Sequence, residues 1–220
     1  FVKYLNVFPY HALSHQIVIR DNFNKYIKSI RKKLIKDTER QQKRLNKIGA
    51  LSFDLITNEK NYSIFTNKMI NQKSYRYNIT KVKNQFMNIS NKSFYIDFPR
   101  KYSDLIEVHL SGLSIDKEII AVHWGILDKK NRILFYLMPA NDYKNWAKYS
   151  SGRLLLYYLI SWCFDNNIKA LDMTGGNEKY KLEWANSSIN LYNYLHSRTL
   201  IGFVLSIVIR VRNKIKRYKS

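Results

Sequence analysis

The sequence predicts a mixed α/β domain in which an antiparallel sheet is followed by a buried helix and one more strand. Three runs with a strand-like period, at 105–113, 119–127 and 132–138, are separated by short polar turns, as in an antiparallel meander. The next run, 154–164, is apolar on nearly all sides and predicts a buried helix. A short apolar strand at 168–173 follows, and a helical arm precedes the sheet.

Composition limits the class of protein. The chain has 220 residues, 45% of them hydrophobic, which is typical of a globular domain rather than a disordered one. Its formal net charge of +22 implies an anionic partner, namely nucleic acid, a phosphorylated cofactor or an anionic membrane face. The single cysteine, Cys163, cannot form an internal disulfide, and this favours a reducing, cytosolic setting.

The N-terminal part predicts an entry segment and a basic helix. Residues 1–20 form a short apolar entry segment interrupted by Pro9, which we interpret as the remnant of a longer N-terminal region. Asp21 is a candidate N-cap, apolar residues then recur at three- and four-residue spacings as far as Ile48, and Gly49 follows as a stop signal. The opposite face is rich in Lys and Arg, so it is either a solvated face or a docking face for an acidic partner.

Further elements complete the predicted order. A strand at 50–56 and helices at 58–73 and 80–91 precede a break at Pro99. The C-terminal run 200–211 is apolar but shorter than the about 20 residues that cross a bilayer, and a basic end follows it. It is either an interfacial basic segment or a terminal helix packed on the domain. The predicted domains are 1–20, a main domain at 21–190 and a basic helical tail at 191–220.

The stretch 172–184 carries the strongest signal for chemistry. Paired glycines at the end of a strand allow the backbone to adopt positive φ and allow a ligand to approach closely. Ligands of open α/β sheets tend to lie at that edge. A carboxylate, a phenol, an ammonium group and an indole follow within a few residues. The candidate residues are Asp172, Gly175, Gly176, Glu178, Tyr180, Lys181 and Trp184.

Residues 150–184 resemble the acetyltransferases associated with cellulose and exopolysaccharide biosynthesis, which belong to the GNAT superfamily and have Fem-like relatives. The shared pattern is a small-residue loop, a Leu-rich helix and a motif matched by Asp172, Gly176, Glu178, Tyr180, Lys181 and Trp184. The basic helix and the meander extend the resemblance to about 21–186. One departure concerns the mid-chain helix, where family members carry a histidine and an aromatic residue and this sequence has Asn71 and Tyr75. The departure argues against a base on that helix.

The resemblance implies a GNAT-like acyltransferase fold and transfer of an acyl group, with acetyl-CoA or another acyl-CoA as co-substrate, to an amine. The donor carries phosphate groups, and the residues independently suit such a ligand. A Ser/Gly loop that opens a helix presents free backbone N–H groups and the positive end of the helix dipole. We therefore expect Ser150, Ser151, Gly152 and Arg153 to bind the donor, between this helix start and the end of the 132–138 strand.

Catalytic roles are expected in the 172–184 stretch. Glu178 or Asp172 accepts the proton of the amine, Tyr180 protonates the departing thiolate, and Lys181 holds an anionic acceptor such as a glycan or glycolipid. The substrate is also expected to contact Gly175, Gly176 and Trp184, although Trp184 also fits the core. His109 and His123 lie on neighbouring predicted strands and share a face in one of two hairpin registers, so His123 is a further candidate for the substrate site.

Two other classes compete with this interpretation. One is a Fem-type transferase that uses aminoacyl-tRNA. The other is a basic nucleic-acid- or membrane-binding module without activity, for which no zinc-ligand pattern or aromatic RNA-binding signature is evident. We expect a cytoplasmic protein, either free or peripheral at the inner face of the cell membrane in contact with anionic lipid. Nucleic acid is the less favoured partner. No metal site is predicted.

Overall fold

The computed structural model describes residues 7–98 and 103–219. Pro99, where the sequence predicts a break, and residues 1–6 of the entry segment lie outside that part of the chain. The described residues form two compact units. The larger unit contains residues 19–171, and the smaller unit contains residues 7–18 together with 172–219.

The larger unit is built on an antiparallel sheet. Its strands β2 (Leu51–Leu55), β3 (Ile106–Ile115), β4 (Glu118–Asp128) and β5 (Ile133–Asn141) are neighbours in that order. The predicted antiparallel meander is therefore confirmed. A two-residue turn, Asp116–Lys117, joins β3 to β4, and both residues have positive φ (46° and 74°), as two-residue hairpins with a right-handed twist require.

A buried helix connects the meander to the next strand. Helix α5 (Ser151–Asp165) buries Leu154, Leu155 and Cys163, as its apolar sequence predicts. Strand β6 (Ala170–Gly175) follows and is the neighbour of β5 in the sheet. Its entry is fixed by Lys169 N–H, which donates to the Arg132 carbonyl oxygen over 2.7 Å. The predicted order of three strands, a helix and a fourth strand in one sheet is confirmed.

Both faces of this sheet are covered by helices. Because side chains alternate along a strand, β3 sends Val108 and Leu110 into one cluster with Trp124, and Leu113 into another with Leu154. In the first cluster Trp124 Nε1–H donates to the Tyr62 hydroxyl over 3.1 Å. The second cluster packs the sheet against α5.

The basic N-terminal helix is two helices, α1 (Phe23–Ser29) and α2 (Lys32–Asn46), rather than one. Asn22, not Asp21, is the N-cap, because its Oδ1 accepts from Lys25 N–H over 2.9 Å. The chain leaves helical geometry at Ile30 (φ −79°, ψ 147°), where that side chain is buried. The predicted stop near Gly49 is confirmed within three residues.

Two more helices cover the sheet, and the prediction for the second was wrong. Helix α3 (Glu59–Ile79) starts where expected but is longer. The expected helix at 80–91 is instead a turn, a short 3₁₀ segment and helix α4 (Ile89–Asp97). Asn84 and Asn88 explain the difference, because their side chains accept from the backbone N–H of Phe86 and Ser90 and so start new segments.

The smaller unit pairs the entry segment with the C-terminal part of the chain. Strand β1 (Val7–Val18) runs antiparallel to β7 (Ser187–Tyr194), with a register shift between Pro9 and Leu13. Neither strand is apparent in the sequence periodicity. The unit also contains the end of β6, the short helix α6 (Lys179–Trp184) and helix α7 (Leu200–Lys219). None of the helices in the described residues combines the length and the apolar content needed to span a bilayer.

Candidate functional site

The glycine turn after β6 lies in the smaller unit and has an unusual backbone. Thr174 has a φ of 62° and Gly176 a φ of 126°, and the Gly176 N–H donates to the Leu13 carbonyl oxygen over 3.2 Å. A Cβ atom added at Gly176 would lie 2.5 Å from Oε2 of Glu178. The backbone therefore requires glycine there, whereas the Glu178 carboxylate lies at the end of a flexible, exposed side chain that can move aside.

Asp172 holds the start of this turn. Its carboxylate is buried and accepts three hydrogen bonds, from the Ser14 hydroxyl (2.6 Å), the Gln16 side-chain amide (2.8 Å) and the Thr174 N–H (2.7 Å). Because its oxygens are occupied by protein donors, Asp172 is suited to fixing the turn.

Lys181 and Glu178 form an ion pair at the far end of the turn. The Lys181 Nζ lies 3.0 Å from Glu178 Oε2 and donates to the Gly175 carbonyl oxygen over 2.9 Å. Lys181 is only 4% exposed, whereas the Glu178 side chain is 56% exposed. Partial burial on its own would raise the pKa of Glu178, but hydrogen bonds from its own backbone and from Lys181, with the charges of Lys181 and His15, lower it overall.

His15 is a component of this site that the sequence pattern did not reveal. It is buried on β1, and its ring nitrogens contact Ser188 Oγ (2.8 Å, Nδ1) and Asn177 Oδ1 (3.2 Å, Nε2). Nε2 donates to the Asn177 side-chain oxygen, and Nδ1 shares a hydrogen bond with the Ser188 hydroxyl. His15 thus fixes the residue that precedes Glu178.

The two aromatic candidates of the motif differ in accessibility. Tyr180 is 36% exposed and so can reach a ligand, whereas Trp184 is fully buried. Trp184 therefore belongs to the core of the smaller unit rather than to a substrate-contacting surface.

The predicted donor loop lies in the larger unit, at the start of α5. Ser150 is the N-cap residue and adopts a left-handed conformation (φ 54°), without capping through its side chain. The Ser151 hydroxyl is buried and has no hydrogen-bond partner among the described residues. A Cβ atom on Gly152 would lie 3.3 Å from Asn141 Oδ1, so β5 ends beside the helix start as expected.

Arg153 has a protein partner in this loop. Its guanidinium forms an ion pair with Asp37 of α2, which Arg40 also contacts. Desolvation would raise the pKa of Asp37, but the hydrogen bonds and charges of Arg153 and Arg40 lower it overall. Arg153 therefore ties α5 to α2, and this reduces what it can offer to a phosphate group.

Other cations lie close to the same loop. The Arg44 guanidinium is 5.0 Å and the Lys148 ammonium 5.1 Å from the centroid of the Tyr149 ring. Both contacts fall in the range of cation–π interactions. The start of α5 is therefore flanked by positive charge from α2 and from the loop itself.

His123 is placed away from solvent. The structure has the register in which His109 and His123 share a face, since Gly125 lies opposite His109, and the two ring centroids are 5.7 Å apart. Both rings are buried, and their four nitrogens lack hydrogen-bond partners among the residues described. His123 stacks on Tyr136 at 4.6 Å, so it forms part of the core beneath α5.

The structure thus brings Asp172, Glu178 and Lys181 together in the smaller unit, with His15 as an addition. Ser150, Ser151 and Gly152 form one helix start in the larger unit. A signal for His15 does exist, because the run His15, Gln16 with Ser14 before it places polar residues inside an otherwise apolar segment.

Comparison with known proteins gives one family match. A family model described as an acetyltransferase (GNAT) domain matches residues 32–182. No curated protein matches the chain in sequence.

Solved structures resemble the chain in fold. FemX has a TM-score of 0.60 at 8% identity, over 88% of this chain and 65% of FemX. The C-terminal domain of a protein assigned as a lysylphosphatidylglycerol synthetase in Agrobacterium fabrum has a TM-score of 0.57 at 7% identity, over 92% and 65% of the two chains. L-PGS from Bacillus licheniformis has a TM-score of 0.56 at 11% identity, over 94% and 67%. The chain spans less than two thirds of the length of the first two, and at these identities the likeness concerns the fold alone.

Proposed function

The chain belongs to the acetyltransferase (GNAT) domain family, and from that premise we propose that it transfers an acyl group from acyl-CoA, with acetyl-CoA as the first candidate, to an amine acceptor. The observation that carries the proposal is the glycine turn that presents the Lys181–Glu178 ion pair. A packing-only turn has no use for a buried ammonium group held by a strained backbone.

The reaction assigns each group a task. The amine nitrogen attacks the acyl carbonyl carbon, the carbon–sulfur bond breaks, and the proton lost by the amine balances the one gained by the thiolate. We assign proton acceptance to Glu178 and protonation of the thiolate to the partly exposed Tyr180. The Lys181 ammonium group donates to the Gly175 carbonyl oxygen and pairs with Glu178. Because an ammonium group has three N–H donors, a remaining one is suited to an anionic group of the acceptor.

The start of α5 is the proposed donor site. Its first backbone N–H groups and its dipole suit a pyrophosphate, and the Ser151 hydroxyl adds a buried donor that the described protein groups leave unused. Gly152 lets the helix start lie close to Asn141, because a Cβ atom there would be 3.3 Å from Asn141 Oδ1.

A second donor, aminoacyl-tRNA, is favoured by one observation. The exposed cations of α2 lie on both sides of the Arg153–Asp37 pair along the helix, and the last of them contacts Tyr149 beside the donor loop. They are Lys32, Lys33, Lys36, Arg40, Lys43 and Arg44. A basic helix of this length suits the sugar–phosphate backbone of an RNA. The likeness in fold to FemX is compatible with a Fem-type transferase.

For the acceptor we propose an amine on an anionic glycan or glycolipid of the cell envelope, in line with the resemblance to polysaccharide-associated acetyltransferases. The proposed location is the cytoplasm, where a free thiol such as that of Cys163 stays reduced.

Donor binding is tested by thermal stabilisation, because a ligand specific for the folded state raises Tm by mass action. Acetyl-CoA, dephospho-CoA and aminoacyl-tRNA are compared on the wild-type chain and on Gly152→Asp, with Gly152→Ala as the matched control. An acidic residue in the first turn suits the helix dipole but repels phosphate, so donor affinity should fall roughly tenfold or more in Gly152→Asp alone. Equal affinities in the two variants would place the donor elsewhere.

Catalysis is tested by kinetics of acyl transfer. Glu178→Gln keeps the shape and removes the proton acceptor, so kcat should fall about 100-fold or more, whereas Glu183→Gln on the same helix should not change it. Lys181→Gln should raise KM for an anionic acceptor. It should also shift the acid limb of kcat/KM to higher pH, because the cation that lowers the pKa of Glu178 is gone. Wild-type kinetics in both site variants would reject the assignment.

A further inference from the structure

Helix α7 packs on its own unit through its small and polar residues, which is the reverse of what a surface helix does in water. The residues that face its own unit are Gly202, Ser206, Arg210 and Asn213, which recur every three or four positions and are small or polar. Ser206 is 6% exposed, and the Arg210 guanidinium lies 5.5 Å from the centroid of the Phe8 ring on β1. The apolar side of the helix is therefore not the side used for packing.

The apolar side faces outward. One apolar stripe along the helix consists of Leu200, Val204, Val208, Val211 and Ile215, and each of these side chains is more than half exposed. We refer to these five residues as the outer stripe. A surface helix of a water-dissolved protein shows the reverse arrangement, and contiguous apolar surface of this kind marks an interaction site.

Charge indicates what covers the outer stripe. The helix has no acidic residue. Besides the inward Arg210, its C-terminal half carries the exposed Arg212 and Lys214, and the sequence continues with Lys216, Arg217 and Lys219. An apolar stripe flanked by cations matches an anionic lipid surface, in which acyl chains cover the stripe and headgroups pair with the cations. Two copies of the helix packed in parallel would instead bring like charges together.

We infer that α7 lies in the plane of an anionic bilayer and anchors the chain by its outer stripe. At about 1.5 Å per residue its 20 residues reach about 30 Å along the surface, and the basic second half adds roughly 1 kcal/mol for each cation near an anionic leaflet, or a factor of about five. This inference is independent of the proposed acyl transfer, since it uses none of the residues assigned to it.

Vesicle sedimentation tests the inference. The purified chain should bind vesicles of phosphatidylcholine with 30% phosphatidylglycerol and should bind pure phosphatidylcholine vesicles at least about tenfold more weakly. Val208→Ser with Val211→Ser should weaken binding by at least about tenfold, whereas Ile64→Ser with Ile89→Ser, two exposed apolar residues of the larger unit, should not.

Separate variants test the contribution of the α7 cations and the insertion of the outer stripe into the bilayer. Arg212→Gln with Lys214→Gln should lower the partition coefficient about 30-fold, more than Lys32→Gln with Lys36→Gln, which removes the same charge from α2. An environment-sensitive dye on Val208→Cys should shift to the blue on anionic vesicles, while the same dye on Ile64→Cys should not. Cys163 is buried and so is protected from the dye.

Three outcomes would overturn the inference. They are failure to bind anionic vesicles, equal loss of binding in stripe and control variants, and sedimentation velocity showing a dimer that Val208→Ser with Val211→Ser dissociates. The last result would assign the outer stripe to a second copy of the chain.

Discussion

The buried histidine pair is the part of the molecule where single residues have the clearest energetic consequence. His109 packs on Trp162 with 4.4 Å between ring centroids, and His123 packs on Tyr136. Desolvation lowers the pKa of His109 to about 4, and desolvation together with the nearby His109 lowers that of His123 well below its usual value. Gly125 makes room for this packing, since a Cβ there would lie 2.6 Å from the His123 ring.

We predict that acid destabilises the chain through these residues. Between pH 6.5 and 4 the unfolded histidine binds a proton and the folded one does not. The stabilisation that comes from the neutral, buried ring is therefore complete above pH 6.5, and the free energy of unfolding decreases as the pH falls through this window. For His109 alone the loss is on the order of 3 kcal/mol. Urea unfolding at several pH values measures it.

A variant separates this contribution from general acid effects. His109→Phe keeps a ring beside Trp162 but cannot be protonated, so its stability should depend less steeply on pH in that window. His196→Phe changes an exposed histidine and should leave the slope unchanged. Equal slopes in wild type and His109→Phe would contradict the prediction.

Sequence reasoning identified which residues gather at the glycine turn but not which partners they meet. Asp172, Glu178 and Lys181 lie within ten residues of one another, so a local motif reveals them. His15 contacts Asn177 across 162 positions, and the Arg153–Asp37 pair spans 116. Such pairings form only in the tertiary fold and leave no local pattern in a single sequence.

At the scale of elements, the β3–β4 hairpin shows how strongly a short turn constrains the chain. Asp116 and Lys117 are both left-handed, and Asp116 Oδ1 accepts from Ala50 N–H over 2.8 Å. The Asp side chain thus links the hairpin to the residue that precedes β2. Lys117 also has positive φ (74°), and a side chain there costs conformational energy.

Replacing Lys117 with glycine should therefore stabilise the protein. Glycine adopts positive φ without the steric cost of a Cβ atom, and the gain less the extra entropy of the unfolded chain should be about 0.5 kcal/mol. Chemical denaturation should show a higher midpoint with an unchanged slope. Lys130→Gly, at a turn position without positive φ, should give no gain, and a lower midpoint for Lys117→Gly would contradict the argument.

Elements with a strong period were predictable, and those defined by pairing or caps were not. The meander and α5 follow from alternation and from an all-round apolar helix. Strands β1 and β7 join opposite ends of the chain, and β7 alternates without a clear apolar face, so neither has a local signature. The segment at 80–91 has helical composition, but Asn84 and Asn88 redirect it through side-chain hydrogen bonds.

At the scale of the whole molecule, charge is the dominant feature. The chain has 38 Lys and Arg residues against 16 Asp and Glu, so most cations have no acidic side chain to pair with. Net charge far from zero favours binding of anionic partners and opposes the compact state through self-repulsion. The proposed donor, acceptor and lipid surface are all anionic, so each would offset part of this repulsion.

Salt should consequently stabilise the isolated chain. Raising KCl from 10 to 150 mM shortens the Debye length from about 30 Å to about 8 Å, which screens repulsion between cations on the same molecule, and we expect Tm to rise by a few degrees. Sorbitol at equal osmolality is the control, because it leaves charge interactions unscreened. Differential scanning calorimetry measures the difference between the two series. If Tm rose equally in sorbitol, or fell with KCl, self-repulsion would not be what limits the stability of this +22 chain.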